Sequence, residues 1–186
     1  MRTLIARIFD VSADGVIADE DSEFFEFCRD LPDDPAQIAR TQSLYSGADL
    51  HLWGRNTYQG AASYFPTATD HPHADLINAS RKVVFSQTLD DPAWGNTVVN
   101  RGDLGQEVGR LKQDGTGHLV AHGGLGFWQS LIRLDLIDEF RLTVFPYVVG
   151  HGRRLFDCLD KPRRLDLVSS TTFTNGTVEL QYRRPR

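Results

Sequence analysis

Short apolar runs alternate with longer stretches of helical periodicity through the first two thirds of the chain. The apolar runs have the length of buried strands, and a stretch with helix-like spacing follows most of them. Repeated strand-then-helix order predicts parallel strands covered by helices. The predicted strands cover residues 3–9, 49–53, 82–86, 97–99 and 118–121, and the predicted helices cover residues 35–46, 57–64, 74–80 and 103–113.

The last third of the chain changes to an antiparallel pattern. Residues 140–145 alternate between two faces up to Pro146, which cannot donate to a strand ladder. Two further strands, 165–174 and 177–183, flank Asn175-Gly176, a pair that favours a type I′ hairpin turn. We therefore predict an α/β fold with a mixed, mostly parallel sheet, helices on both faces and a C-terminal antiparallel hairpin. Because no repeat or linker is visible, residues 1–186 are expected to form a single domain.

Composition and charge narrow the function classes. The chain has 186 residues, of which 40% are hydrophobic and 24% charged, as is usual for a globular protein. A net charge of −5 argues against nucleic-acid or anionic-membrane partners, which need clustered cations. Arg7 and Asp10 interrupt the first apolar run, so a signal peptide is not expected, and the two cysteines are too few for a disulfide framework. We predict a cytoplasmic protein.

Four loops that follow predicted strands carry residues suited to a ligand. In open α/β sheets, ligands bind beyond the carboxyl ends of the strands, so these loops are expected to meet at one edge. The candidates are Asp14, Gly15 and Val16, then Gly54, Arg55, Asn56 and Thr57, then Ser86, Gln87 and Thr88 with Arg101 after the next strand, and last Gly123, Gly124, Leu125 and Gly126.

Two arginines in these loops suggest an anionic ligand. Arg55 stands at a predicted helix N-terminus, where the helix dipole disfavours a cation unless an anion is bound. A side chain that swings into solvent explains Arg55 equally well. Arg101 beside Ser86 and Thr88 would suit the 2′-phosphate of NADP, and the acid of an NAD-selective site is not evident after the second strand.

The glycine-rich loop allows two interpretations. Gly123, Gly124 and Gly126 form G-G-x-G, which is neither the Rossmann pattern nor a P-loop. The glycines could make a tight turn, or they could let a ligand reach the free N–H groups that open the next helix. His122-Gly123-Gly124 also resembles the oxyanion turn of esterases, but the chain has no G-x-S-x-G nucleophile elbow, which argues against a hydrolase.

Two other groups of residues favour structural interpretations. His71 and His73 flank Pro72 in a polar stretch, which predicts an exposed loop rather than a metal site. A second group recurs at helical spacing and predicts a core-facing helix stripe rather than a cofactor site. That stripe consists of Phe24, Phe27, Cys28 and Leu31.

Taken in order, five segments resemble a known family. They are VSADGVIAD, LWGRNTY, KVVFSQTL, LVAHGGLGFWQSLI and DLIDEFRLTVFPYVVGHGRRLF, and together they span nearly the whole chain. They resemble the dihydrofolate reductase-like fold family, in the reductase branch similar to the C-terminal domain of the bifunctional riboflavin-biosynthesis deaminase/reductase. The resemblance implies NADPH as the hydride donor.

The resemblance also implies roles for the loop residues. The Gly54–Thr57 loop would receive the cofactor phosphates, Ser86–Thr88 with Arg101 would contact the 2′-phosphate, the Gly123–Gly126 turn would hold the pyrophosphate, and Asp14–Val16 would fold against the nicotinamide. True dihydrofolate reductases also carry an acid on the first helix that helps to protonate the substrate. The residues that could match it here are Asp19, Glu20, Glu23 and Glu26.

The expected function is an NADPH-dependent reductase that delivers hydride to a C=N or C=O group of a small pteridine-, pyrimidine- or ribityl-type substrate. The resemblance also implies a homodimer. The alternatives are a nucleotide-binding module of the same fold without turnover, a true dihydrofolate reductase, or a flavin-binding enzyme of this fold.

Overall fold

A computed structural model describes residues 1–19 and 21–185; Glu20, one of the candidate acids, and Arg186 lie outside the described residues. A helix follows four of the first five strands of the described chain, as the apolar pattern predicts. The elements are β1 (Leu4–Ser12), α1 (Glu23–Asp30), α2 (Pro35–Ser46), β2 (Ala48–Gly54), α3 (Arg55–Tyr64), a 3₁₀ turn (Phe65–Thr67), α4 (Ala74–Ala79), β3 (Lys82–Phe85), β4 (Thr97–Asn100), α5 (Leu104–Leu111), β5 (His118–Ala121), α6 (Leu125–Arg133), β6 (Glu139–Phe145), β7 (Asp166–Thr172) and β8 (Val178–Arg183).

The strands form one sheet in the order β4-β3-β2-β5-β1-β6-β8-β7. Strands β1 to β6 are mutually parallel, whereas β8 runs antiparallel to both β6 and β7. This topology confirms the predicted mixed sheet and its C-terminal hairpin. Because β1, β2 and β5 are central and parallel, their carboxyl ends meet at one edge.

Hydrophobic side chains cover both faces of the sheet. On β1, Leu4, Ala6 and Ile8 face a core that includes residues of α5 and α6, while Ile5 faces a second core with α2, α3 and α4. This alternation follows from the two-residue period of a strand. The predicted helices on both faces are therefore confirmed, and they leave the strand ends free to form a site.

The hairpin between β7 and β8 differs from the prediction. A type I′ turn needs a positive φ at both central residues, but only Gly176 has one, at 84°. The Gly176 N–H instead donates to the Phe173 carbonyl, and the Phe173 N–H donates to Thr177. The Asn175 amide is held by the Pro32 carbonyl, so a tertiary contact favours a longer turn than the local pair would.

Strand β1 extends beyond its predicted end through an irregular step. Its register against β6 shifts between Ile8 and Val11, so β1 carries one extra residue there. Asp10 lies in this bulge with a φ of 58°, and its carbonyl accepts the Ala18 N–H at 3.1 Å. The bulge places a charged residue at the strand end, beside the edge where the other loops meet.

Candidate active site

A cleft of about 1080 Å³ opens at the carboxyl ends of the central strands. Its wall is built from the end of β1, the loop that follows it, the end of β3 and the first turns of α3 and α6. Of the predicted residues, the wall contains Gly54, Arg55, Asn56, Thr57, Gly124, Leu125 and Gly126. Two of the four predicted loops thus meet in one cleft.

Two helix N-termini face this cleft without side-chain caps. Helix α3 begins after Gly54 and α6 begins after Gly124, and neither residue can offer a side chain to the free N–H groups. By contrast, side-chain oxygens of Ser22, Asp34 and Asp103 cap α1, α2 and α5. The Gly54 N–H donates to the Gly123 carbonyl at 3.0 Å, which holds the two turns together. Adjacent open helix N-termini form a binding site suited to an anion.

The glycines of these turns have two different uses. A Cβ at Gly54 would lie 2.9 Å from the Phe127 Cβ, and one at Gly124 would lie 2.8 Å from the Thr57 hydroxyl. Gly123 has a φ of 97°, and a Cβ there would lie 2.6 Å from the Trp128 ring. These three glycines are required by the close approach of the turns. A Cβ at Gly126 would meet nothing within 4 Å, so this cleft-lining glycine leaves space for a ligand.

The third predicted loop lies just beyond the rim of the cleft. The Arg55 guanidinium donates to the Thr88 hydroxyl at 2.6 Å, so one exposed arginine links the cleft to this loop. The Ser86 hydroxyl accepts the N–H groups of Thr88 and Leu89, which fixes the loop shape. Arg55 with Thr88 therefore presents a cation and a hydroxyl at the cleft rim.

Arg101 is engaged elsewhere in the structure. Its guanidinium donates to the Leu89 carbonyl at 2.6 Å and to Asp90 at 3.1 Å, and its own carbonyl accepts from Gln87. Arg101 is also absent from the described lining of the cleft. A contact with a bound phosphate would require it to leave these partners, so Arg55 is the better placed of the two arginines.

The three residues predicted to contact the nicotinamide, Asp14, Gly15 and Val16, lie outside the described lining of the cleft. The Asp14 carboxylate accepts the Ser12 hydroxyl and the N–H groups of Val149 and Gly150, and these bonds lower its pKa to about 2. Asp14 thus holds its loop against the segment before β7 instead of facing the cleft.

The next residues of this loop form the cleft wall instead. Ile17, Ala18 and Asp19 line the cleft, and Asp19 forms an ion pair with Arg153, which also lines it. The loop turns back antiparallel through a bridge between Val11 and Ile17. The turn directs Ile17 to Asp19 inwards, a few residues later than the resemblance implied.

Asp10 is a cleft residue that sequence reasoning missed. Burial raises the pKa of its carboxyl from an ordinary value of 3.8 to about 6, opposed by the nearby Arg7 guanidinium and Cys28 thiol. Burial also raises the pKa of the Cys28 thiol.

Among the acids that were predicted, Glu23 and Glu26 are exposed in the first turn of α1 and lie outside the described cleft wall. The sequence feature that could have indicated Asp10 is an ionisable residue within a strand whose other residues are mostly buried.

A second cavity, of about 580 Å³, adjoins the cleft. Arg7 and Phe9 line both spaces, so the two share a wall at the end of β1. The Arg7 guanidinium lies 4.8 Å from the Phe9 ring centre and donates to the Thr41 hydroxyl at 3.2 Å. Cys28 of the predicted helix stripe also lines this cavity, while Phe24 packs in the core as expected. The site therefore consists of two adjoining spaces with a shared wall.

The histidines of the region act as uncharged aromatic rings. His122 stacks on Trp53 with ring centres 4.1 Å apart, and its Nε2 lies 2.6 Å from Nδ1 of His51. Burial lowers the pKa of His51 to about 4 and that of His122 well below its ordinary value. His71 and His73 are half-buried and line the second cavity, rather than forming the exposed loop that we predicted.

Residues 1–19 and 21–185 contain no group of three or more potential ligands placed to hold a metal.

Comparison with known proteins identifies the family. The family model of the RibD C-terminal domain matches residues 2–179. The chain belongs to the RibD C-terminal domain family. The uncharacterized protein YyaP of Bacillus subtilis (strain 168) is 31% identical over 139 residues, which cover 72% of this chain and 73% of YyaP.

Solved structures agree with this family and with the fold. A riboflavin biosynthesis protein candidate from Shewanella sp. PV-4 superposes with a TM-score of 0.77 at 26% identity, covering 99% of each chain. Dihydrofolate reductase from Enterococcus faecalis, solved with NADP(H), superposes with a TM-score of 0.64 at 15% identity over 99% of this chain and 97% of that one. This RibD C-terminal domain protein therefore has a dihydrofolate reductase-like fold, and its family supports a reductase-type function.

Proposed function

We propose that this RibD C-terminal domain protein is an NADPH-dependent reductase acting on a C=N or C=O group of a small pteridine-, pyrimidine- or ribityl-type substrate. The observation that carries the proposal is the pair of glycine-capped helix N-termini, at Gly54 and Gly124, that open side by side onto one cleft. Such a pair suits the pyrophosphate of a dinucleotide, because each end presents unpaired N–H groups and positive dipole charge.

The residues around these N-termini fit the rest of the cofactor. Asn56 and Thr57 lie in the first turn of α3 and line the cleft, where their side chains would bind phosphate oxygens. Arg55 with Thr88 would bind the 2′-phosphate at the rim, since a guanidinium and a hydroxyl both donate to phosphate. Ile17 and Ala18 would cover the nicotinamide. When bound, NADPH supplies the hydride; the protein binds, orients and excludes water.

The second cavity is the proposed substrate compartment. It shares Arg7 and Phe9 with the cleft, so a substrate there would lie against the nicotinamide end of the cofactor. Its wall mixes aromatic rings, such as Phe9 and Tyr45, with polar groups, such as Gln37 and Thr41. Rings and hydrogen-bonding groups together suit a flat, polar heterocycle.

We also propose a cytoplasmic homodimer. Both cysteines, Cys28 and Cys158, are free thiols, which suits a reducing compartment. Edge strand β7 exposes Leu167 and Val168, with 59% and 43% of their surfaces accessible, and a second copy would cover such an edge. Within the described residues, no helix is long and apolar enough to cross a membrane.

Cofactor binding and turnover can be tested separately. NADPH titration should quench tryptophan fluorescence, since Trp128 lines the cleft, and should raise the melting temperature. Stereospecifically deuterated NADPH should then lose its label when pteridine, pyrimidine and ribityl-type imines or carbonyls are offered. Binding without label loss would identify a nucleotide-binding module. An absence of both quenching and stabilisation at millimolar NADPH would refute the proposal.

A further inference from the structure

Asp10 occupies an unusual backbone position next to the reaction site. It is one of three non-glycine residues with a positive φ among the described residues, and it lies in the β1 bulge. Aspartate tolerates this conformation better than most residues, but it is still sparsely populated. Such outliers persist where surrounding contacts hold them, here the bond from the Ala18 N–H to the Asp10 carbonyl, and they cluster at functional sites.

Asp10 also lies at the boundary between the two cavities. Asp10 itself lines the cofactor cleft, whereas the adjacent Cys28 lines the second cavity. Phe9, its neighbour in sequence, lines both. A carboxyl at this boundary lies where a substrate in one space would meet a nicotinamide in the other.

The charged groups around Asp10 come from several elements. Arg7 on β1 is a cation that acts on it, and the Cys28 thiol of α1 is its side-chain hydrogen-bond partner. Elsewhere on the cleft wall, Arg55 and Arg153 lie with Asp19 and Asp21. The net effect is that burial outweighs Arg7 and keeps the pKa of Asp10 raised, so the carboxyl still holds its proton in mildly acidic conditions, up to about pH 6.

We propose that Asp10 is the proton donor of the reduction. The inference rests on the proposed function. Hydride from the reduced nicotinamide forms a bond to the carbon of the C=N or C=O group, and the π electron pair moves to nitrogen or oxygen. The Asp10 O–H bond breaks and its proton completes the new N–H or O–H group. The product is the amine or alcohol, the nicotinamide is oxidised, and the Asp10 carboxylate regains a proton from water.

Other acids near the cleft are less suited to this role. Asp14 accepts three hydrogen bonds that stabilise its ionised form and lower its pKa to about 2. Asp19 is more than half exposed and forms an ion pair with Arg153. Asp19 provides a matched comparison, because it is a carboxylate on the same wall in a different environment.

Turnover of the substrate found with deuterated NADPH provides the first test. Asp10→Asn should lower kcat about 100-fold while changing the Kd for NADPH less than threefold, the usual scale for loss of a general acid. In the wild type, kcat should fall tenfold per pH unit above about pH 6, which gives the pH–rate profile a falling limb. This limb should be absent from Asp10→Asn and should be present at a shifted pH in Asp10→Glu. Asp19→Asn should keep the limb. A limb lost in Asp19→Asn, or full turnover by Asp10→Asn, would overturn the inference.

A second test needs no substrate. In protein labelled with ¹³C at aspartate carboxyls, one NMR signal should titrate near pH 6 and be absent from Asp10→Asn. If the Asp10 signal titrates near pH 4 instead, the carboxyl has an ordinary pKa and holds almost no proton at pH 6, and the inference is wrong. Failure of the wild type to bind NADPH would instead refute the proposed function, so the two failures are distinguishable.

Discussion

The cleft has two halves that present different kinds of chemical group. The first, called the glycine half, is formed by α3 and α6 and presents backbone N–H groups, because Gly54, Gly124 and Gly126 have no side chains to cover them. The second, called the carboxyl half, is formed by β1 and α1 and presents side chains, with Asp10 beside Arg7 and Cys28. The first half is held in shape by the backbone, whereas the second depends on groups that can change protonation state.

We therefore expect cofactor binding and proton transfer to be separable in this protein. Backbone N–H groups at a helix N-terminus recognise a phosphate whatever else the ligand carries. A buried carboxyl responds to pH and to its neighbours, and it can transfer a proton. Changes in the glycine half should therefore alter cofactor affinity and leave the Asp10 titration in place, and changes at Asp10 should do the reverse.

The largest expected effect comes from filling the glycine half. Gly126→Leu should weaken NADPH binding at least 100-fold, about 3 kcal/mol, because the new side chain would occupy the space above the α6 N-terminus. The fold should survive, since a Cβ at this position meets nothing within 4 Å. Fluorescence titration gives the Kd, and thermal unfolding without ligand gives the stability.

Gly109→Leu is the matched control for this change. Gly109 lies within α5, away from the described cleft wall, and its Cβ would also meet nothing within 4 Å. It should bind NADPH like the wild type. If Gly126→Leu binds equally well, the α6 N-terminus does not hold the cofactor, and the comparison between the halves fails. Gly124 would be a poorer choice, because a Cβ there would crowd Thr57 even without ligand.

The glycine half could be predicted from the sequence and the carboxyl half could not. Gly54 and Gly124 follow strands and precede helices, so local patterns place them at the sheet edge. Asp10 depends on the bulge between Ile8 and Val11, which arises from the register of β1 against β6, about 130 residues away. Likewise, Asp14 is turned away by bonds to Val149 and Gly150, and no local pattern reveals such distant partners.

A smaller effect should separate the two arginines. Arg55→Ala should weaken NADPH by roughly 1–3 kcal/mol, the scale of hydrogen bonds to charged groups, and weaken NADH much less. Arg101→Ala should cost less, because Arg101 is already bonded to Leu89 and Asp90. Titrations with both cofactors measure this selectivity. Equal losses of NADPH and NADH affinity in Arg55→Ala would show that Arg55 does not contact the 2′-phosphate.

The smallest expected effect concerns folding stability in the carboxyl half. Because the folded-state pKa of Asp10 is raised from 3.8 to about 6, its protonated form favours the fold below pH 3.8, and this contribution is lost as pH rises through 6. Asp10→Asn should therefore be more stable than the wild type at pH 8 by roughly 1–2 kcal/mol, a value reduced for the partial exposure of this residue. The two should be nearly equal at pH 4.

Denaturant unfolding of both proteins at the two pH values measures this difference. The buried pair His51 and His122 also makes stability pH-dependent, but it is present in both proteins and cancels in the comparison. Gly126→Leu should show the same pH dependence as the wild type, because it leaves Asp10 intact. If the free energies of unfolding of Asp10→Asn and the wild type differ by the same amount at pH 4 and pH 8, the Asp10 carboxyl is solvated in the folded protein. Asp10 would then be an ordinary surface acid, and the carboxyl half would lose its distinguishing group.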